Sequence, residues 1–243
     1  MNKLINYILF VRYEIGAMQL VKKLEMQSKH RIVEFLNSEP VGRIASIDAK
    51  GYPQVIPMNF VYVQANHPSI HSHRITTQDA VYMHSHPFGE KLNNIKGNSK
   101  VGFEVDRHVC FLPSYYFHPT DASQADTLYI SVVIKGNAMI VEDNREKADA
   151  LNSLMEKYQR EGKYESLDPY LPSVHEVTVI KIVPEGMRGK YKIGQHWAPA
   201  YRLKMARNIV DREGKKQAKE ILDIIGIDML TNGNLKIREE PSM

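Results

Sequence analysis

The chain has 243 residues, of which 43% are hydrophobic and 25% charged, a composition that fits a globular protein and excludes collagen, a coiled coil and a disordered chain. Its 32 Lys and Arg residues outnumber its 28 Asp and Glu residues by only four, so the composition does not indicate nucleic-acid binding. The single cysteine, Cys110, cannot form an internal disulfide, and we therefore expect a cytoplasmic protein.

The first 27 residues are predicted to form an N-terminal extension. Their apolar run from Ile5 to Val11 is far shorter than the ~20 residues that span a bilayer. No small-residue cleavage pattern follows it. We therefore expect neither export nor membrane insertion, and the predicted domain begins at Ser28.

From residue 28 onward, strands outnumber helices in the apolar pattern. One helix follows Ser28, a second spans residues 90–96, and Asp143 begins a capping-box pattern for a third. A turn covers residues 48–51 and a polar loop covers residues 64–79. Strands are predicted over residues 41–47, 54–63, 80–85, 101–105, 128–141 and 174–183. Because regular βαβ alternation is missing, this order predicts a mainly β, α+β fold, a β-barrel of antiparallel strands with peripheral helices.

Residues 198–243 are predicted to form a C-terminal helical extension. Four apolar residues share one helical face ahead of Gly226, namely Ala218, Ile221, Leu222 and Ile225. We expect this helix to dock on its own barrel or on a partner subunit. Acidic residues are interspersed along it, which argues against a nucleic-acid or membrane role.

Two histidine pairs have a spacing that permits metal binding. Residues two apart in a strand point to the same face, so His84 with His86, or His71 with His73, could offer two imidazoles to one ion. The segment that begins at His84 also resembles the first metal motif of the cupins. However, Gln78 stands where that motif has a glycine, and no Pro-x-Gly-x-x-His segment follows. A metal-binding cupin stays an alternative, and the pair at residues 71 and 73 is also consistent with a solvated loop.

The segment after residue 80 has the pattern of a phosphate-binding site. His84 and Ser85 end a predicted strand, a glycine follows, and Lys91 opens the next helix. At such a junction the backbone N–H groups donate hydrogen bonds to a phosphate and the lysine adds positive charge. The alternative is that Lys91 is only a charge on the helix surface.

Four segments of the chain carry a family resemblance. In order, they are VGRIAS, GYPQVIPMNFVYV, VYMHSHPFGEKLNNIKGNSKVGFEVD and YISVVIKGNAMIVEDNREKADAL. Together they resemble the pyridoxamine 5'-phosphate oxidase-like proteins of the FMN-binding split-barrel superfamily, in the branch of the nitroimidazole reductase relatives. The resemblance implies a split β-barrel of about six antiparallel strands over residues 28–197. It also implies a bound FMN and a homodimer with the flavin between the subunits.

The resemblance implies which residues hold the flavin. In the family, the first two strands flank the ring, and the third strand with its following helix holds the phosphate. Carried over by position, the ring is flanked by Arg43, Ile44, Ala45, Ser46, Pro57, Met58, Asn59 and Phe60, the phosphate is held by His84, Ser85 and Lys91, and the partner subunit supplies Ser131, Lys190 and Trp197. For two of these residues a structural role is the alternative: Arg43 as a surface residue of its strand, and Asn59 as a hydrogen-bonded core amide.

A flavin implies an oxidoreductase that acts on a small molecule, with NAD(P)H as the expected reductant. His84 is the first candidate for a proton donor, because an unperturbed imidazole titrates near pH 6.5. A purely cofactor-binding or structural role is the alternative for this histidine. We expect Cys110 to be a buried thiol rather than a nucleophile.

Two departures from the family pattern argue against vitamin B6 oxidation. Glu90 stands where oxidases of pyridoxamine phosphate tend to have a basic residue, and the segment GQHWAPAYRL lacks their Arg- and His-containing substrate-binding pattern. Two further alternatives stay open. One is a flavin-binding or storage protein without turnover, and the other is a haem-binding or haem-degrading split barrel.

Overall fold

The computed structural model describes residues 22–66 and 77–238. Its helices are α1 (Lys29–Ser38), α2 (Glu90–Gly97), α3 (Asn144–Tyr158), α4 (Pro172–Glu176) and α5 (Pro199–Ile224). Its strands are β1 (Gly42–Ile47), β2 (Pro53–Met58), β3 (Val61–Val63), β4 (Ala80–Ser85), β5 (Lys100–Leu112), β6 (Asp126–Ile140), β7 (Thr178–Lys192), β8 (Ile227–Met229) and β9 (Leu235–Ile237).

Seven strands form one sheet in the order β2-β1-β5-β6-β7-β4-β3, and β8 pairs with β9 in a separate hairpin. Only Asn59 and Phe60 separate β2 from β3 in the chain, although these strands lie at opposite ends of the hydrogen-bonded order. Such a link spans roughly 10 Å at most, so the sheet curls until its two ends meet. The antiparallel sheet, open between β2 and β3, confirms the predicted split β-barrel with peripheral helices.

The barrel interior is filled by apolar side chains from alternate strand positions. The largest of them have less than 2% of their surface exposed and include Ile44, Met83, Phe103, Leu128, Ile130, Ile134 and Ile182. Phe35 and Leu36 of α1 belong to the same core. Full burial of one such side chain stabilises the folded state by about 1.5–3 kcal/mol. The alternation of apolar residues along the strands therefore strongly favours this fold.

The end of α3 bridges the opening between β2 and β3. The Tyr158 hydroxyl accepts a hydrogen bond from the Phe60 N–H at 2.8 Å and lies 2.7 Å from the Pro40 carbonyl oxygen. The Lys157 ammonium donates to the Leu36 carbonyl at 2.9 Å. One helix terminus therefore connects α1, the start of β1 and the link between β2 and β3.

Three predicted strands differ from the observed ones. The run over residues 54–63 is divided at Asn59 and Phe60, because closure of the barrel places β2 and β3 at opposite ends of the sheet. The strand predicted to end at residue 105 continues to Leu112. The last strand begins at Thr178 rather than at residue 174, because Pro172 begins the short helix α4.

Both predicted extensions pack against the barrel where the structure describes them. The Met26 N–H donates to the Gly189 carbonyl at 2.9 Å, beside the part of β7 that β4 does not reach. At the other end, α5 breaks at Gly214, and it buries Met205 before the break and Ala218 and Leu222 after it in the main core. The Tyr116 hydroxyl also donates to the Asn208 carbonyl at 2.7 Å. We expected this helix to dock on its own barrel or on a partner subunit, and in the structure it docks on its own barrel. Within the described residues, no helix is both long enough and apolar enough to span a membrane.

Candidate functional site

The four residues predicted on β1 point to two different sides of the sheet. Arg43 is exposed and Ala45 half-buried on the outer face, whereas Ile44 and Ser46 have only 1% of their surface exposed. Adjacent residues of a strand point in opposite directions, so only the pair at residues 43 and 45 can contact a ligand on the outer face. Ile44 and Ser46 point into the core instead.

The residues predicted on β2 and its link to β3 divide in the same way. Pro57 is exposed and pairs with Arg43 across the strands, while Met58 is half-buried toward the core. Asn59 donates its side-chain amide hydrogen to the Pro40 carbonyl at 3.2 Å, and Phe60 has no exposed surface. Of the predicted set, residues 43, 45 and 57 therefore form the outer surface of the hairpin, and Asn59 is exposed beside it rather than a core amide.

Two carboxylates of β5 hold the Arg43 guanidinium on the outer face. Arg43 donates to Glu104 at 3.1 Å and also to Asp106. The hydrogen bond and charge of Asp106 raise the pKa of Arg43 above its ordinary value. Burial, followed by repulsion from Asp106, raises the pKa of Glu104, and these effects outweigh the opposing effect of the arginine. Sequence reasoning missed both acids, because only the strand register brings them to Arg43.

The outer face continues across β6 and β7. Asp106 pairs with Ser131, and Ser131 pairs with Lys190 on the next strand. The Lys190 ammonium lies 5.1 Å from the centroid of the Tyr129 ring. The strand register thus brings Arg43, Ser131 and Lys190 to one surface of one subunit, although they are far apart in the sequence.

The other predicted site residues lie where β4 ends and α2 begins. His84 is exposed, whereas Ser85 is buried and donates its hydroxyl hydrogen to the His86 carbonyl at 2.8 Å. Gly89 precedes α2 with φ of 154° and ψ of 154°, a conformation open essentially only to glycine. A Cβ built at this glycine would lie 3.9 Å from the Lys91 ammonium nitrogen, so that group lies close to the backbone at the helix start.

A polar network ties α2 to the first hairpin. The Gln54 amide donates to the Glu90 carboxylate at 2.5 Å, and the Asn94 amide donates to the Gln54 side-chain oxygen and to the Ser46 hydroxyl, each at 3.3 Å. Asn94 is 7% exposed, so its hydrogen bonds hold the helix in a fixed position. Asn94 and Gln54 were not among the predicted site residues, and no motif distinguishes them. Glu90, whose charge is unfavourable for a nearby phosphate, is held by Gln54.

Trp197 lies in the segment between β7 and α5. Its ring packs edge-on against Tyr201, with centroids 5.5 Å apart, and covers Gly194. Gly194 has φ of 74° and no room for a Cβ beside the Trp197 ring. The tryptophan is thus held against the start of α5.

The remaining candidates of the sequence analysis are His86, the pair His71 and His73, and Cys110. Within the described residues, no group of three or more His, Cys, Asp or Glu side chains is placed to hold a metal ion. The pair at residues 71 and 73 lies outside the described residues. His86 accepts from the Phe88 N–H at 3.3 Å, which shapes the turn before α2. Cys110 is 4% exposed and burial raises its pKa, so it has the properties of a core thiol.

Residues 28–191, well over half of the chain, match the family model described as pyridoxamine 5'-phosphate oxidase. No curated protein matches the sequence. A candidate 5-nitroimidazole antibiotic resistance protein from Bacteroides thetaiotaomicron is similar in structure, with a TM-score of 0.53 and 24% identity over 69% of this chain and 86% of that chain.

Two further solved structures share the fold. A flavocytochrome from Azotobacter vinelandii has a TM-score of 0.55 and 14% identity, over 74% of each chain. An FAD and heme binding protein from Mycobacterium smegmatis has a TM-score of 0.55 and 13% identity, over 69% of this chain and 73% of that chain. At 14% and 13% identity, the similarity to these two structures shows a common fold and no more.

Proposed function

Because residues 28–191 match its model, the chain belongs to the pyridoxamine 5'-phosphate oxidase family, and we propose that it is an FMN-binding oxidoreductase acting on a small molecule. Two solved structures of the same fold support a flavin, since one is a flavocytochrome and the other is described as binding FAD and heme. When bound, FMN supplies the transfer of electrons or hydride, and the protein supplies binding and orientation.

The observation that carries the proposal is the start of α2. Helix geometry leaves the first N–H groups of α2 without partners inside the helix, and the helix dipole is positive at this end. The Lys91 ammonium lies beside the same backbone, near Gly89. A phosphate at this position would accept hydrogen bonds from the N–H groups and from Lys91, which is the combination that favours an anion.

The predicted phosphate contacts at the end of β4 take different roles in this proposal. The hydroxyl hydrogen of Ser85 is already donated to the His86 carbonyl, so Ser85 would bind phosphate only by exchanging that bond. His84 is exposed, which suits a side chain that donates a proton to a substrate entering from solvent. We assign the phosphate to Lys91 and the helix start, and His84 to proton donation.

The flavin ring is proposed to lie against the outer face of β1 and β2, beside Arg43, Ala45 and Pro57. We propose a homodimer in which the partner subunit contributes Ser131, Lys190 and Trp197, with NAD(P)H as the reductant. Two observations support an interface here. Val55 is 57% exposed and Ile47 38% exposed on this outer face, and an exposed apolar patch favours burial by a partner. The same face carries charges of both signs, namely Arg43, Glu104, Asp106 and Lys190. Opposite charges of two subunits can therefore pair across a two-fold axis.

The absorbance spectrum of the purified protein tests this function. The expected result is a pair of flavin bands near roughly 370 and 450 nm, with FMN released on denaturation and NAD(P)H oxidised when a small-molecule acceptor is added. Flavin bands without NAD(P)H oxidation would favour a binding or storage protein. A Soret band without flavin bands would favour the haem alternative and contradict the proposal.

A further inference from the structure

An acidic side chain lies at the start of α2, where the phosphate is assigned. Glu90 is the first residue of this helix, and Gly89 before it has no side chain that could cap the first N–H groups. The helix dipole attracts a carboxylate of the first turn to these groups. A carboxylate there would compete with a phosphate for the same donors and would also repel its charge.

The Glu90 carboxylate is bound from the side of β2 instead. The Gln54 amide nitrogen donates to it at 2.5 Å. On β2 the half-buried residue 54 alternates with the exposed residues 53, 55 and 57. Gln54 therefore points away from the outer face to which the flavin ring is assigned, and it contacts the helix rather than the ring.

The orientation of the Gln54 amide is determined by its two partners. Asn94 donates amide hydrogens to the Gln54 side-chain oxygen and to the Ser46 hydroxyl, each at 3.3 Å. An amide NH₂ group only donates and an ionised carboxylate only accepts. The Gln54 oxygen therefore has to face Asn94, and its nitrogen has to face Glu90. The hydrogen bonds run in one direction, from Asn94 through Gln54 to Glu90.

Buried residues hold this chain of hydrogen bonds in place. Asn94 is 7% exposed and Ser46 is 1% exposed, and Ser46 pairs with Gln54 across the first hairpin. Because a buried polar group that loses its partner is destabilised, Asn94 favours the observed position of Gln54. Glu90 itself is exposed, so its carboxylate would turn freely in solvent without Gln54.

We propose that Gln54, oriented by Asn94, is a positioning residue that holds the Glu90 carboxylate away from the phosphate and thereby sets the preference for FMN over riboflavin. This inference rests on the proposed function, in which Lys91 and the start of α2 bind the phosphate. Riboflavin lacks only that phosphate. The position of the carboxylate therefore affects the affinity for FMN and leaves that for riboflavin unchanged.

Flavin fluorescence titration of FMN and riboflavin with Gln54→Met, Glu90→Gln and the variant that combines both tests the inference. Methionine keeps the length of the side chain and removes its donor and its acceptor. Gln54→Met should weaken FMN binding about 3- to 10-fold, because a released carboxylate repels a nearby dianion, and should leave riboflavin affinity unchanged. In the Glu90→Gln background the same replacement should not weaken FMN binding, because no negative charge is released.

The matched control is Gln124→Met. Gln124 also donates its side-chain amide hydrogen to a carboxylate, that of Asp121, at 3.0 Å. It lies in the segment that follows the end of β5, whereas α2 precedes the start of that strand. β5 has 13 residues and is therefore about 40 Å long. Gln124→Met should bind both flavins as the wild type does.

The possible failures are distinguishable. Wild-type protein that binds FMN no more tightly than riboflavin would contradict the proposed phosphate site and this inference with it. A wild-type preference for FMN that Gln54→Met retains would overturn this inference alone. So would an equal loss for both flavins in Gln54→Met, or the same loss of FMN affinity in the Glu90→Gln background, since Gln54 would then act through the structure of the hairpin and not through the carboxylate.

Discussion

The Lys157 ammonium nitrogen lies 3.6 Å from the centroid of the Phe60 ring, at the opening between β2 and β3. Phe60 in turn packs edge-on against Phe103 in the barrel core, with ring centroids 5.0 Å apart. A charged group therefore lies directly over the core where the barrel is not closed by hydrogen bonds. This position makes the stability of the fold sensitive to the protonation of one lysine.

We predict that the stability of the protein rises with pH between 7 and 9 because of Lys157. Burial lowers its pKa to about 7 in the folded protein, with Glu39 opposing the shift, while an unfolded lysine has a pKa of about 10.4. Between these values the unfolded chain binds more protons than the native one, so the free energy of unfolding rises with pH by at most about 1.4 kcal/mol per unit. The ring contact favours the charged form and keeps the slope below this limit.

Urea unfolding of the wild type and of Lys157→Met at pH 7, 8 and 9 measures the effect. The midpoint should rise with pH in the wild type and much less in the variant. The range ends at pH 9 because folding raises the pKa of Tyr116 and of Tyr191 to about 12. Above about pH 10 the unfolded tyrosines lose their protons while the folded ones keep them, so the free energy of unfolding falls with pH there. Equal slopes for the two proteins would contradict the assignment to Lys157.

A second prediction concerns the Tyr158 hydroxyl. Replacing Tyr158 with Phe leaves the Phe60 N–H without its partner, while in the described part of the chain the Pro40 carbonyl keeps only its hydrogen bond from the Asn59 amide. The expected loss is about 1–3 kcal/mol of unfolding free energy. Tyr170 is 80% exposed, so Tyr170→Phe is the control and should change stability by less than ~0.5 kcal/mol. If both variants unfold at the same urea concentration, α3 does not hold the barrel opening as described.

A third prediction separates backbone strain from steric overlap at Gly194. Gly194 and Gly162 have similar φ angles, 74° and 69°, but a Cβ at residue 194 would overlap the Trp197 ring, whereas one at residue 162 meets no described atom within 4 Å. Gly162→Ala should cost about 1–2 kcal/mol from backbone strain alone. Gly194→Ala should cost more and should also shift the emission of Trp197, the single tryptophan. Equal costs without an emission change would show that the ring does not cover residue 194.

Local sequence signals predicted the first hairpin and α2 well. The turn between β1 and β2 is fixed by Asp48, whose carboxylate accepts from the Lys50 and Tyr52 N–H groups at 2.8 Å each. The predicted helix over residues 90–96 is α2, one residue longer. In both places, residues a few positions apart determine the structure, so the pattern was sufficient.

Features that depend on distant strands could not be predicted in this way. The break at Asn59 follows from barrel closure, and the extension of β5 past residue 105 follows from its pairing with β6 as far as Leu112. For the proposed flavin site, the resemblance supplied the positions but not the directions of the side chains. In the structure, the burial of Ile44 and Ser46 shows that these two side chains face the core.

The proposed phosphate site is tested most directly by the affinity for FMN and riboflavin of the wild type, Lys91→Ala and Lys96→Ala, measured by flavin fluorescence titration. Lys96 lies in the last turn of the same helix and is exposed, so its variant controls for loss of charge on α2. If Lys91 binds the phosphate, Lys91→Ala should weaken FMN binding roughly 10- to 150-fold and leave riboflavin affinity unchanged, while Lys96→Ala binds both as the wild type does. Unchanged FMN affinity in Lys91→Ala, or an equal loss for both flavins, would contradict the phosphate site at the start of α2.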